Sequence, residues 1–400
     1  MPEAPPVLVV AVEHKREAPL VAASPLRAAT TTGLMQAAEK IFLGVIPLVV
    51  FGVLAVVGGI HQRHFGFDFK PVWEAARHLF HGASPYPPPH EWALRDEHQY
   101  VYPPLTALLS APFAVFPFLI AASLYAAMLL GATALTLRLL GVRDWRCYGV
   151  VLLWYPVIES VTLVTVSSLL ALGLAVAWRF RDRRWVAAVA VAGIVAGKVF
   201  LWPLLIWLVA TRRGLVAARA LMVGIAATTV SWALIGFAGL MSYPQLLNAL
   251  ANVEQRKSYS TVALGLTFGL PAGEARAVGL AAGAVALLAI VLLARARSEN
   301  SDRHAFIAAI AAAFLFTPIV WSHYLCLLVV PIAISRPRLT PLWLVPLAIW
   351  ATPGQHDGKT WQVALGFSVW LLVLAASFRK GWQWPAWRRV PAQPPATAKI

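Results

Sequence analysis

The feature that most constrains this chain is the recurrence of long apolar runs along nearly its whole length, parted by short clusters of Lys and Arg. The first run, IFLGVIPLVVFGVLAVVGGI, fills residues 41–60. That length suits a helix crossing a hydrocarbon core, which needs about 20 residues. In lipid, backbone polar groups must be paired within the segment, and unbroken apolar runs read as helices. Of the 400 residues, 60% are hydrophobic and 12% charged, against roughly 25% charged in a soluble domain. The expected fold class is an all-α polytopic integral membrane protein with no room for a large soluble domain. The net charge of +16 is expected in cytoplasmic loops. No basic-aromatic module accompanies it, so nucleic acid is not expected as a partner.

Lys and Arg gather at 138–146 (RLLGVRDWR), 179–184 (RFRDRR), 212–219, 295–303 (RARSENSDR), 336–338 and 379–389. Short basic loops face the cytoplasm, so the stretches between them cross an even number of times. Hairpins are expected over 146–179 turning near 160–165, over 185–211 turning near Lys198, over 304–335 turning near 318–323, and over 340–379 turning at PGQHDGK (353–359). Single passes account for 41–60, 214–238 and 273–295, while 104–138 reads as one long kinked pass or three short ones. The count is about 12 transmembrane helices. Several hairpin arms are shorter than a full span, which is tolerable where their turns line a wet cavity.

Residues 1–40 read as a disordered cytoplasmic tail, 41–380 as one transmembrane domain, and 381–400 as a second cytoplasmic tail. The run VLVVAV (7–12) is too short for a signal segment. On this topology the loops 61–103 and 240–272, and the turns carrying Lys198 and His323, share the outer face. The absence of a repeat of fixed period weighs against a transporter. Cys147 and Cys326 lie far apart on apolar segments and suggest neither a disulfide nor a zinc site.

The polar residues embedded in this apolar background are the candidates for chemistry. After Asp68, residues Val72, Trp73, Ala76, Leu79 and Phe80 recur at helical spacing with Lys70, Glu74 and Arg77 between them. That pattern predicts an amphipathic interfacial helix in the first outer loop, stopped by Gly82. Asp68 then has two readings, an N-cap or a general base that takes a proton from an attacking hydroxyl, and one carboxylate can do both. Tyr100 and Tyr102 can pack on a sugar face or on headgroups. Lys198, in VAGKVFLWP, sits mid-way along an apolar stretch. It either snorkels or holds a phosphate as a point charge. His323 in FTPIVWSHYL is a packing residue or a donor to phosphate or sugar, and Glu159 in YPVIES is a second embedded acid. Arg256 and Lys257 put two cations in an outer loop, which suggests a bound anion or else a solvated loop touching anionic headgroups; Gln255 and Ser258 flank them. No phosphate-binding Gly-rich loop, metal spacing or Ser nucleophile elbow is present. No metal and no cofactor are expected.

These blocks resemble glycosyltransferase family 87, in the GT-C superfamily of polytopic enzymes. The resemblance rests on DFKPVWEAARHLFHGASPY (68–86), on YVYPPLTALLSAPFAVFP (100–117), on Lys198 with Pro203 and the pair Arg212–Arg213, on the polar loop near Gln255, and on TPIVWSHYLCLLVVP (317–331). It implies a GT-C-type helical bundle in the plasma membrane with its active site outward. A polyprenyl-phosphate sugar is then the donor, mannose foremost and arabinofuranose as the alternative, and a lipid-linked glycan is the acceptor. It also implies an inverting transfer with Asp68 as base, and donor-phosphate binding by Lys198 and His323, with Arg256 and Lys257 beside them. Tyr86, Tyr100, Tyr102, Glu159, Thr165, Ser168, Gln255 and Ser258 become candidates for binding sugars. The family often carries a Gly-Gln pair near 164–168, where this chain reads VTVSS. The partners expected are the bilayer, the donor and the acceptor, with the protein a monomer. A flippase of lipid-linked sugars or a non-catalytic glycan-binding scaffold are the competing readings; a flippase needs a polar path to the cytoplasmic side as well.

Overall fold

The computed structural model describes residues 36–54, 57, 65–86, 99–352 and 358–379. Both expected tails up to residue 35 and from 380, and residues 353–357 of the PGQHDGK turn, lie outside the described residues. Every regular element among the described residues is helical. In chain order these are α1 (Gln36–Leu54), which includes a π-helical stretch at Ile41–Val45, then α2 (Phe69–Phe80), α3 (Pro104–Ala114), α4 (Phe118–Leu139), α5 (Trp145–Leu152), α6 (Tyr155–Thr162), α7 (Ser167–Arg179) and α8 (Arg184–Gly197). They continue with α9 (Pro203–Ala210), α10 (Gly214–Ala233), α11 (Tyr243–Glu254), α12 (Thr261–Thr267), α13 (Ala272–Arg295), α14 (Ser301–Phe316), α15 (Val329–Ser335) and α16 (Thr360–Ser377). Short 3-10 helices at Val199–Leu201, Gln255–Lys257, Ser322–Leu328 and Pro341–Ala351 join them.

Among the described residues five helices, α1, α4, α10, α13 and α16, are long and apolar enough to cross a membrane, and α6 with α7 makes a sixth if that pair, bent by 116°, is one broken span. That is short of the about 12 passes counted from sequence. The shortfall lies in the hairpin arms, which form apolar helices of 10–17 residues. Prolines and extended residues break them. Pro117 (φ −53°, ψ 146°) parts α3 from α4, so 104–138 is two helices rather than one kinked pass or three. The turns expected near 160–165, Lys198 and 318–323 all fall at such breaks.

Helix α2 has the predicted amphipathic pattern. Phe69, Val72, Ala75 and Ala76 are buried while Lys70 and Arg77 are exposed. Phe69 packs on Tyr125 at 4.7 Å, and Trp73 meets Phe118 edge-on. Gly82 at φ +65° ends the helix as expected. A smaller apolar cluster forms around these side chains, and a larger one fills the bundle of α5 to α10 and α13 to α16. Close backbone approach relies on small residues. A Cβ on Gly149 of α5 would lie 1.8 Å from the Leu43 carbonyl oxygen of α1. Val285, Leu288 and Leu292 of α13 stay exposed, as a lipid-facing stripe requires.

The two ends of the bundle differ in charge. Asp302, in the first turn of α14, accepts from Arg181 at 2.8 Å, from Arg213 at 3.0 Å and from the Trp207 indole at 2.9 Å. Thr317, just past the last residue of α14, lines a cavity at the opposite end. A helix of 16 residues puts about 24 Å between them at 1.5 Å per residue. The basic loop 179–184 and the embedded Lys198 are likewise at opposite ends of α8.

Candidate active site

A cavity of about 450 Å³ opens between α2, the segment 99–103, the breaks at Lys198 and at 317–324, and helix α11. Its walls are mostly apolar, with Phe67, Val199, Phe200, Leu247, Leu250 and Ile319 among them, and it holds Asp68, Glu159, Lys198 and His323 together.

Local backbone bonding sets Asp68 in place. Its own N–H donates to the Leu163 carbonyl at 3.1 Å, and Gly66 N–H donates to Thr162 at 2.9 Å. The chain is thereby tied to the turn between α6 and α7 before α2 begins. Gly66 (φ +74°) is required there, because a Cβ would meet the Phe118 ring at 2.9 Å. Asp68 occupies the N-cap position of α2 but makes no side-chain capping bond. The expectation that it caps the helix is therefore corrected. Its φ and ψ are already helical (−74°, −22°), whereas a capping residue has extended backbone. Its carboxylate instead faces the cavity and interacts electrostatically with Lys198, Tyr102 and Glu159.

Lys198 ends α8 in extended conformation (φ −147°, ψ 99°). The break aims its side chain inward. Its Nζ donates to the Tyr324 hydroxyl at 2.8 Å and lies 4.2 Å above the Tyr102 ring. Tyr324 is held in turn by stacking on Phe200 at 5.1 Å. These are two aromatic faces and one hydroxyl around a single ammonium. The third wall is the 3-10 helix Ser322–Leu328. The Ser322 hydroxyl donates to Glu159 Oε2, and His323 Nδ1 lies 4.0 Å from the same oxygen. His323 is 6% exposed, between the rings of Trp321 and Tyr324. Among the described residues, no group of three or more His, Cys, Asp or Glu is arranged to hold a metal ion.

The remaining sequence candidates sit elsewhere. Tyr86 and Tyr100 support the wall from behind. Their hydroxyls donate to the carbonyls of Tyr102 and Pro103, and Tyr86 stacks on Trp232 at 5.2 Å. Thr165 and Ser168 are buried in a hydroxyl cluster with Ser160 and Thr133, at 3.2 Å each, away from the cavity lining. Val164 beside them has φ +58°, a conformation that disfavours a β-branched residue and suits glycine. The segment 240–272, read as an outer loop, contains the helices α11 and α12. Ser258 is fully buried and bonded to the Gln255 carbonyl and to Ser260, and the Gln255 side chain accepts from Arg276 at 3.1 Å. Both are structural supports. Arg256 and Lys257 are exposed and do not line the cavity. Cys147 and Cys326 are free and buried.

Sequence reasoning missed Tyr324 and Ser322, although both lie inside the quoted SHY motif. It also missed the face of α11 that closes the cavity, with Tyr243, Leu247, Leu250, Ala251 and Glu254. The i, i+4, i+7, i+8, i+11 spacing in YPQLLNALANVE was a helical signal.

Fold and site together define a multi-pass helical membrane protein with a mostly apolar cavity at one end of its bundle that holds four ionisable side chains. A family model for glycosyltransferase family 87 matches residues 100–331, and the chain belongs to that family. Asp68 lies upstream of the matched stretch. The chain is similar to a polyprenol-phosphate-mannose-dependent alpha-(1-2)-phosphatidylinositol pentamannoside mannosyltransferase of Mycobacterium tuberculosis, with 27% identity over 292 residues. That match covers 68% of this chain and 63% of the relative, less than two thirds of its length. No solved structure matches.

Proposed function

We propose that the protein is a membrane glycosyltransferase that moves a sugar, mannose foremost, from a polyprenyl-phosphate donor to a lipid-linked or cell-envelope glycan. The transfer takes place on the outer face of the plasma membrane and inverts the anomeric centre. The acceptor hydroxyl oxygen attacks the anomeric carbon while the bond from that carbon to the phosphate oxygen breaks. Polyprenyl phosphate leaves with the bonding electrons, and Asp68 takes the hydroxyl proton. Lys198 offsets the charge growing on the departing phosphate, and His323 donates to one of its oxygens. The apolar wall from Val199 to Leu250 takes the first prenyl units. Because a prenyl phosphate is already a competent leaving group, these residues act without a resident metal or cofactor. The family membership and the donor in the relative's name support this reading. The single observation that carries it is a carboxylate released from capping duty and facing the same cavity as a caged ammonium.

The test is radiolabel transfer in membranes, with polyprenyl-phosphate mannose and polyprenyl-phosphate arabinofuranose in separate reactions, for the wild type and Asp68→Asn. Transfer from one donor, lost in the variant, is expected. An active Asp68→Asn protein would remove Asp68 from the role of base. Absence of transfer with movement of lipid-linked sugar across vesicles would replace the enzyme by a flippase.

A further inference from the structure

One cavity side chain has no part in the chemistry above. Gln99 opens the segment that runs through Tyr102 to Pro103 and lines the same cavity as Asp68. Its Nε2 and Oε1 are both buried and neither has a hydrogen-bond partner. Among the described cavity-lining residues no other has a buried side-chain nitrogen or oxygen left unpaired. An amide taken out of water unpaired is a cost to the fold, and native structures rarely carry one without a reason.

The surrounding segment is firmly held, so the open amide is not the result of a loose loop. The Tyr243 hydroxyl donates to the Val101 carbonyl at 3.1 Å. Tyr100 takes the Ala107 N–H at 3.1 Å and gives its own proton to Pro103. What is left open is one donor and one acceptor side by side on a rigid wall. A phosphate offers oxygens that accept, and would leave Oε1 without a partner. A pair of neighbouring sugar hydroxyls offers both functions and satisfies both atoms.

Two sugars meet in the proposed reaction, and position favours the acceptor. Lys198 and His323 project from breaks inside the helical bundle, where a lipid-borne phosphate arrives. Gln99 lies before the first residue of α3, on the 99–103 wall of the cavity, a separate wall from those two breaks. Resting on the glycosyltransferase reading, we propose that Gln99 binds the acceptor sugar through two adjacent hydroxyls, holding the attacking hydroxyl toward Asp68.

The test compares wild type, Gln99→Leu and Gln99→Glu in lipid nanodiscs, with whichever of the two donors the wild type uses. Octyl α-mannoside and its single deoxy analogues serve as acceptor probes. Wild type should lose roughly tenfold or more in kcat/KM on each of the two deoxy analogues that lack a bound hydroxyl, as one lost hydrogen bond allows. Gln99→Leu should raise the acceptor KM about tenfold to a hundredfold and show no further loss of binding on either analogue. The donor KM should be unchanged, and the melting temperature of the substrate-free protein equal or higher, because an unpaired amide has been removed. Gln99→Glu, which keeps the acceptor atom and loses the donor, should fall between. An unchanged acceptor KM in Gln99→Leu, a raised donor KM, or a lowered melting temperature would each overturn the proposal. A wild type that transfers from neither donor would instead sink the glycosyltransferase reading itself, and this inference with it.

Discussion

Replacing Lys198 with Met removes the ammonium and keeps most of the stem, so it separates what the charge does for the fold from what it does for the reaction. For the fold, two contributions oppose one. The hydrogen bond to Tyr324 at 2.8 Å is charge-assisted and contributes about 1.5–3 kcal/mol. The ammonium above Tyr102 at 4.2 Å adds up to ~2 kcal/mol when desolvated. Against these, taking an ammonium out of water costs several kcal/mol. The balance is close, and Lys198→Met should shift unfolding free energy by less than about 2 kcal/mol. For the reaction there is no such offset, because the charge on the phosphate oxygen grows as the bond breaks. Losing one preorganised interaction of that kind costs about 2.7–4 kcal/mol, a fall of ~10²–10³ in rate. The assay is single-turnover radiolabel transfer in nanodiscs, with kcat and donor KM measured beside a thermal melt. A variant within about threefold of wild type in kcat, with an unchanged melt, would refute the placement of Lys198 at the departing phosphate.

Three other outcomes follow from the geometry. Asp68→Ala should abolish transfer, and its stability cost should come from the lost attraction to Lys198 rather than from a lost N-cap; chemical denaturation of the purified variant beside Lys198→Met measures it. The double variant Arg256→Ala with Lys257→Ala should transfer within about twofold of wild type, since both side chains are exposed away from the cavity and such surface charges contribute little; a hundredfold loss in the same assay would return them to the donor site. Gly366→Ala should destabilise by about 1–3 kcal/mol in a melting experiment, because its Cβ would fall 2.1 Å from the buried Tyr259 ring, which bonds to Thr352 and anchors the 255–260 segment on α16.

The segments that read most clearly in the sequence were those governed by a single physical demand. The lengths of α10 and α13, the amphipathic run of α2 and its Gly82 stop follow from burial and backbone conformation within a dozen or so residues. The short arms around Lys198 and Pro318, though not the one at Pro117, were legible as breaks. Their number of crossings was not, because a helix too short to span is stabilised by its neighbours rather than by lipid. At the site, Asp68, Lys198, Glu159 and His323 stood out because an ionisable group in an apolar stretch needs a reason to be there.

The sequence by itself determined that this is a helical membrane protein, where its helices break, and which charged side chains must be sheltered in it. Only tertiary structure decided which of them meet. Arg256 and Lys257 are as cationic as Lys198 but are exposed to solvent, and Thr165 and Ser168 both bond to the Ser160 hydroxyl in the core instead of to a ligand. Where Asp68 stands was set by backbone bonds from Gly66 and Asp68 to residues nearly a hundred positions away, Thr162 and Leu163, and it makes no capping bond there. Hydropathy and spacing act along the chain, whereas the direction of a side chain and the identity of its partner are set by contacts across it.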